Sequence, residues 1–224
     1  MIKKTKIWYI KNFNIFKHIP NSKLLELEKN MGMKSEKKKA ILYFQDQSSD
    51  TIYLLKKGKI KISRLTNGGR ITVLQLLGPG EIFGESAIFG RGYHNNVAEV
   101  LEDAVICTID KEYFLKMMMT NPTFNFTITK YIGWRLRKVE THVEDLLFKD
   151  AQQRISEFLI SYIQKFGKEM ADGWYVRPFP SQQDIADLTA VSRQTASLLL
   201  NEMKEKKVID FSRRFLKISD LKIL

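Results

Sequence analysis

The sequence predicts an α+β chain: a β-rich N-terminal half, one long helix, and a C-terminal helix-turn-helix followed by a short hairpin. Three observations carry that prediction. From about Ile41 to Ile109 the runs ILYF, TIYLL, KIKIS, ITVLQLL, NNVAEVL and AVICTI alternate with turn residues, which is an all-β rhythm. After Ile109 the apolar spacing becomes helical. From Ser181 to Met203 two helical segments, each preceded by a capping serine, flank a three-residue turn.

The 224 residues leave room for one large domain or two ordinary ones, and 44% hydrophobic with 11% aromatic content excludes bulk disorder. Against 37 Lys and Arg stand 25 Asp and Glu, a net charge of +12 that excludes an acidic protein and makes a polyanionic partner worth testing. The excess is uneven: residues 1–149 hold 25 basic and 15 acidic side chains, residues 150–224 only 12 and 10. Total charge therefore says little about the C-terminal part, and the basicity of the first part is open between flanking DNA contacts, an anionic effector and a lysine-rich solvated surface, the last being the default reading. Cys107 is the one cysteine, so no intramolecular disulfide, four-cysteine zinc site or cysteine-ligated iron–sulfur cluster can form, and a reducing cytoplasm fits. The N-terminal MIKKTKIWYIKNF carries Lys3, Lys4 and Lys6, breaks its apolar run at Lys11 and lacks a small-residue cleavage site, so it does not read as a signal peptide. Uncharged stretches such as Ile71 to Gly80 fall short of the roughly 18 apolar residues of a membrane span. No membrane partner is expected.

Along the chain, the β runs predict a small barrel or roll of about eight strands, with Thr66-Asn67-Gly68-Gly69 as a tight turn. Lys111 to Met119 predicts a short helix in which Met117 to Met119 fill core space. Pro122 suits the first turn of a longer helix that runs to about Phe148. Its Ile132, Leu136, Val139, Val143 and Leu146 are spaced 4, 3, 4 and 3 apart, a two-heptad seam that predicts pairing with a second copy of the helix. Ala151 to Phe166 predicts a further amphipathic helix, with Ile155, Phe158, Leu159 and Tyr162 on one face and Gly167 at its end. VIDF and FLKIS around Ser212-Arg213-Arg214 predict a basic hairpin.

In the helix-turn-helix, Ile185, Leu188, Val191, Leu199 and Met203 are the expected apolar contacts, and Ala186 and Ala196 are small where the helices cross. The second helix of such a unit enters the major groove. Arg193, Gln194 and Ser197 share its leading face. Arg pairs with guanine O6 and N7, and Gln with adenine N6 and N7. Ser181, Thr195, Arg213 and Arg214 are candidates for phosphate contacts, which fix register without reading sequence. Double-stranded DNA is the predicted partner.

The order of these parts resembles the Crp/Fnr transcriptional regulators, from about Phe13 to Leu224. The resemblance rests on YLLKKGKIKI at Tyr53 to Ile62, LGPGEIFGE at Leu77 to Glu85 and SQQDIADLTAVSRQT at Ser181 to Thr195. It implies a cyclic-nucleotide-binding-type β-roll (double-stranded β-helix, or jelly roll) with flanking short helices at 1–120, a dimerisation helix and hinge at 121–149, and a winged helix-turn-helix at 150–224. It further implies a homodimer on a pseudo-palindromic operator, with RNA polymerase as a partner if the protein activates. An effector would be held by Gly84, Glu85, Ser86, Asn95, Asn96, Val139 and Glu140. In the family's cyclic-nucleotide binders an Arg-Ser or Arg-Ala pair clamps the phosphate, and those positions are Asn95 and Asn96 here; the pair that contacts adenine corresponds to Val139 and Glu140. The charge-assisted clamp is therefore missing and cyclic AMP is not the expected effector.

Other functions compete. The family's iron–sulfur sensors need several cysteines, which closes that route. A haem or metabolite sensor would need an axial ligand or pocket, with His18, His94 and His142 as candidate ligands. Cys107 alternates with Val105 and Ile109, as a buried structural thiol would. A cupin-like metal enzyme would need clustered histidines, but those three are far apart, without HExxH or HxH spacing, and no GxxxxGK[ST] or GxSxG motif occurs. No catalytic residue and no metal ligand is assigned, and the effector is left open.

Overall fold

The computed structural model describes residues 13–16, 19–66, 68–85, 88 and 92–221. The N-terminal segment read against a signal peptide, His18, Asn67 of the predicted turn, and Ser86 lie outside them. By contacts the chain forms two compact units, one of Met1–Ile71 with Gln75–Lys138 and one of Val139–Leu224 with Thr72–Leu74.

Two long strands organise the first unit. β1 (Met31–Glu36), β2 (Ile41–Tyr43), β3 (Thr51–Leu65), β4 (Ile71–Leu77), β5 (Ile82–Phe83) and β6 (Val97–Asp110) form a sheet in the order β1-β6-β3-β4, with β2 also on β6 and β5 on β3. β3 and β6 pair antiparallel from Thr51↔Asp110 to Ser63↔Val97. In β3 the residues Ile52, Tyr53, Leu54 and Leu55 are all buried because alternate side chains enter different cores: Ile52 and Leu54 one cluster, Tyr53 and Leu55 the other. A strand buried on both faces reads as a continuous apolar run rather than an alternation.

This differs from the prediction of about eight short strands. TIYLL and KIKIS are one strand, and so are VAEVL of the NNVAEVL run and AVICTI; six strands make up this sheet among the described residues. The break suggested by Gly58 is a bulge, with register shifts between Leu55 and Ile60. Gly58 has φ +91°, and a Cβ there would stand 2.6 Å from the Asp103 carbonyl oxygen. The bulge turns Lys59 inward, 5% exposed, with its amine 3.2 Å from the Glu102 carboxylate. Burial holds the Lys59 amine below its usual pKa. β1, MGMKSE, has no β-favouring run and is not predicted; it is held by pairing with β6 from Met31↔Ile109 to Glu36↔Ala104.

One cluster packs the sheet against helices. α1 (Asn21–Lys29) contributes Leu24 and Leu27; α2 (Lys111–Thr120) contributes Phe114 and Met117; α3 (Pro122–Phe148) contributes Phe124 and Ile128. The Asp110 carboxylate caps α2 by accepting from the Glu112 and Tyr113 amides at 2.8 and 3.2 Å. Phe124 stacks on Phe16 and meets Phe114 edge-on, with centroids 5.8 and 5.2 Å away. The methionine stripe is corrected: Met117 is buried but Met119 is exposed, because two residues turn the helix by about 200°. The predicted seam residues Ile132, Leu136, Val139, Val143 and Leu146 are all exposed on α3.

The other cluster fills the interior of the roll with aromatic rings. Tyr53 stacks on Phe83 at 5.1 Å, and Tyr43 lies on His94 at 3.6 Å with ring planes 6° apart. His94 is 2% exposed, with Nδ1 3.3 Å from the Ser49 hydroxyl.

The second unit contains α4 (Ala151–Phe166), β7 (Lys168–Met170), β8 (Gly173–Val176), α5 (Gln182–Thr189), α6 (Arg193–Glu205), β9 (Ile209–Phe211) and β10 (Leu216–Ile218). Its sheet runs β7-β8-β10-β9, so the predicted C-terminal hairpin is half of a four-stranded wing. A capping box between Asp150 and Gln153 starts α4, which buries Ile155, Leu159, Tyr162 and Ile163.

Burial holds the His94 pKa below its ordinary value, so the folded state takes up its proton at lower pH than the unfolded chain does. Stability from this group is fully present above about pH 6.5 and falls as the pH drops towards the folded value. The urea midpoint should therefore decline more between pH 7.5 and 5.5 in the native protein than in His94→Gln. Equal declines would exclude His94 as the source.

Candidate nucleic-acid interface and effector region

The geometry of the helix-turn-helix begins with its caps. Ser181 Oγ accepts from the Asp184 amide at 3.1 Å, while Asp184 Oδ2 accepts from the Ser181 amide at 3.0 Å and from its hydroxyl at 2.7 Å. This reciprocal box fixes the first turn of α5. Ser192 does the same for α6, accepting from the Thr195 amide at 3.0 Å, with the Thr195 hydroxyl 2.8 Å away. The two candidate phosphate hydroxyls, Ser181 and Thr195, are thus both engaged in caps.

Between the helices, Ala190 adopts φ 51°, ψ 47°. That left-handed conformation costs a non-glycine residue roughly 1–2 kcal/mol. Arg154 of α4 braces the turn from below: it donates to the carbonyls of Thr189 at 2.9 Å, Ala190 at 3.4 Å and Lys149 at 2.7 Å. Nothing in the sequence pattern singles out Arg154, because its partners are backbone atoms. Lys149 in turn reaches Asp145 at 2.6 Å and Glu157 at 2.5 Å, tying the end of α3 to α4.

Ala186 and Ala196 are fully buried at the helix crossing, as expected, with Ile185 and Met203. The buried leucine of α6 is Leu200; Leu199 is half-buried. On the open side Arg193 and Gln194 are exposed and Ser197 is half-exposed. Arg193 also lines a cleft of about 660 Å³ together with Ser181, Gln182, Gln183, Ser212 and Arg213. Arg214 is exposed in the same turn of the wing, where its amide donates to Ser212 Oγ at 3.1 Å. The structure therefore gathers Ser181, Arg193 and Arg213 on one surface and adds Gln182 and Gln183, which sequence reasoning missed. Two further exposed residues of α6, Leu198 and Asn201, were also missed, since leucine triplets read as core.

Four of the predicted effector residues, Gly84, Glu85, Asn95 and Asn96, are engaged with the protein itself. Gly84 has φ +79°, and a Cβ would come within 2.7 Å of the Tyr53 ring, so glycine is required by packing as well as by the turn. The Glu85 carboxylate pairs with Arg135 of α3 at 3.0 Å, and Arg135 donates to Gln75 at 3.4 Å. Tyr131 of α3 bonds both the amide and the carbonyl of Ile82. Asn96 accepts from the Tyr43 hydroxyl at 3.0 Å and donates to Asn95 at 2.7 Å, and Arg64 donates to the Asn95 carbonyl at 3.0 Å. Burial, with Glu85 adding to it, keeps the Tyr43 phenol protonated well above its usual range. Val139 and Glu140 are exposed on the C-terminal half of α3.

Of the candidate haem ligands, His94 has a ring face covered by Tyr43, and His142 is exposed beside Asp145 and Glu157. Cys107 is a buried thiol, paired across the sheet with Met33 and Leu54. Among the described residues no cluster of three His, Cys, Asp or Glu is placed to hold a metal, and no helix is long and apolar enough to cross a membrane.

Comparison with known proteins matches the family model "Cyclic nucleotide-binding domain" to residues 33–121 and "Crp-like helix-turn-helix domain" to residues 153–224. A CRP-like cAMP-activated global transcriptional regulator of Mycobacterium tuberculosis is 25% identical over 206 residues, 92% of each chain. The anaerobic regulatory protein of Bacillus subtilis is 27% identical over 191 residues, covering 84% of this chain and 80% of its own. The solved structure of FixK2 from Bradyrhizobium japonicum superposes with a TM-score of 0.74 at 20% identity, over 86% of this chain and 94% of that one.

Replacing Ala190 by glycine removes the left-handed penalty of roughly 1–2 kcal/mol and adds back about 0.4–1 kcal/mol of unfolded-chain freedom. Ala190→Gly should therefore stabilise the second unit by about 0.5–1 kcal/mol in denaturant unfolding. A lower midpoint in the variant would contradict this account of the turn.

Proposed function

We propose, from the premise that the chain belongs to the Crp/Fnr family of transcription regulators, that it binds a pseudo-palindromic operator as a homodimer. In this reading residues 1–120 form the sensor, 121–149 the dimer helix and hinge, and 150–224 the reading head. It is a DNA-binding regulator and not an enzyme. The observation that supports the residue roles is the exposed row Arg193, Gln194 and Ser197 on α6, beside the Arg213-Arg214 turn of the wing. Arg193 and Gln194 pair with base edges, and Ser197 supports them from the next turn. Arg213 and Arg214 bind phosphates, and Ser181 and Thr195 add phosphate contacts at the starts of α5 and α6.

The exposed Ile132, Leu136, Val139, Val143 and Leu146 are the surface that meets the second copy. A change of state in the β-roll biases this helix near Val139 and Glu140 and so reorients the reading heads. RNA polymerase is a partner if the protein activates, and the cytoplasm is its place of action. One named relative is cAMP-activated. Here Glu85 is paired with Arg135, and the clamp positions are Asn95 and Asn96, uncharged and bonded to each other. Cyclic AMP is therefore not the effector in our reading.

An operator selected from random DNA by the full-length protein provides the test. Arg193→Ala should cost about 1–3 kcal/mol, concentrated at one base position of each half-site. Unchanged affinity and specificity would remove Arg193 from the reading role. Millimolar cyclic AMP should leave operator affinity unaltered in a fluorescence-anisotropy titration; a clear increase would mean that the asparagines do not disable the pocket.

A further inference from the structure

Leu198 is the anomaly on the open face of α6. It is 60% exposed, although Ala196, Leu200 and Met203 already supply the inward face of the same helix. It lies four residues after Gln194 and three before Asn201, and both of these are exposed. Residues at those spacings line one strip of a helix. An isobutyl group therefore stands in the middle of the strip that, on the reading proposed above, faces the major groove.

The groove offers such a side chain one favourable partner. Adenine, guanine and cytosine present hydrogen-bonding edges, whereas thymine adds a C5-methyl group. Pressing leucine against a donor or acceptor strips it of water and returns no hydrogen bond. Against the thymine methyl the same contact buries apolar surface on both sides. We infer that Leu198 is a specificity-determining residue that selects a thymine by its methyl group. One helical turn rises about 5.4 Å, so the thymine lies within about two base pairs of the position read by Gln194.

Deoxyuridine separates this contact from every other, since it keeps the pairing and hydrogen-bonding edges of thymine and lacks only the methyl. Each thymine of the selected operator is replaced by deoxyuridine in turn, and binding of the full-length protein and of Leu198→Ala is measured. The side chain is exposed, so truncation leaves the core of the unit intact. One position per half-site should lose about fourfold in affinity with the native protein, the equivalent of one buried methyl-sized group, and nothing with Leu198→Ala. No loss at any thymine, or the same loss in both proteins, overturns the assignment. A random pool that yields no consensus overturns the DNA-reading role on which the assignment rests, and is distinct from a consensus whose thymines are insensitive to the swap.

Discussion

The antiparallel pairing of β3 with β6 is the constraint to which the N-terminal unit is referred. Its ladder from Thr51↔Asp110 to Ser63↔Val97 sets where both strands end, and the ends carry the parts that matter. Asp110 finishes β6 and at once caps α2. Asn95 and Asn96 stand immediately before β6 begins at Val97. β5 hangs on the same ladder through Tyr53↔Phe83 and Leu54↔Ile82, which delivers Gly84 and Glu85. A one-residue slip would exchange the two cores, sending Ile52 and Leu54 to the aromatic side and Tyr53 and Leu55 to the helical side. The bulge at Gly58 accommodates the close approach of β6 without such a slip, and it requires a residue with no Cβ.

The C-terminal unit is specified differently. Its helices are short, and their ends are fixed by side chains that accept backbone amides: Asp150, Ser181 and Ser192. Each such cap contributes on the order of 1 kcal/mol. Fully buried alanines at 186 and 196 let α5 and α6 cross closely. With position settled by caps and small residues, the exposed Arg193, Gln194 and Leu198 of α6 are left open for other contacts.

That division explains what could be read from the sequence. Caps, helical periods and the glycine-ended α4 are local signals, and they place α2 to α6 to within a residue or two. The β half was legible as β but not in detail: a strand buried on both faces lacks alternation, so a bulge at Gly58 looks like a chain reversal. β1 owes its state to its neighbour β6, since Gly32, Lys34, Ser35 and Glu36 have little strand preference of their own. The exposed placement of Arg193, Gln194, Arg213 and Arg214 was legible because they sit at the start of a second helix and in a wing turn, off the apolar period. The pairing of Glu85 with Arg135 was not, because 50 positions separate them and no periodicity links a loop to a distant helix. Leu198 was hidden by its company: in a run of three leucines only the helical phase tells which one faces out.

Arg154 holds the carbonyls of Thr189, Ala190 and Lys149, and carbonyls belong to every residue alike. The clamp therefore recognises the path of the chain and is indifferent to the side chains along it. The three hydrogen bonds do not depend on which side chain stands at position 190, so the brace persists there as long as the left-handed step is kept. The dependence is one-sided. The brace comes from a single guanidinium on another helix, so the path of the turn rests on a residue 35 positions before it.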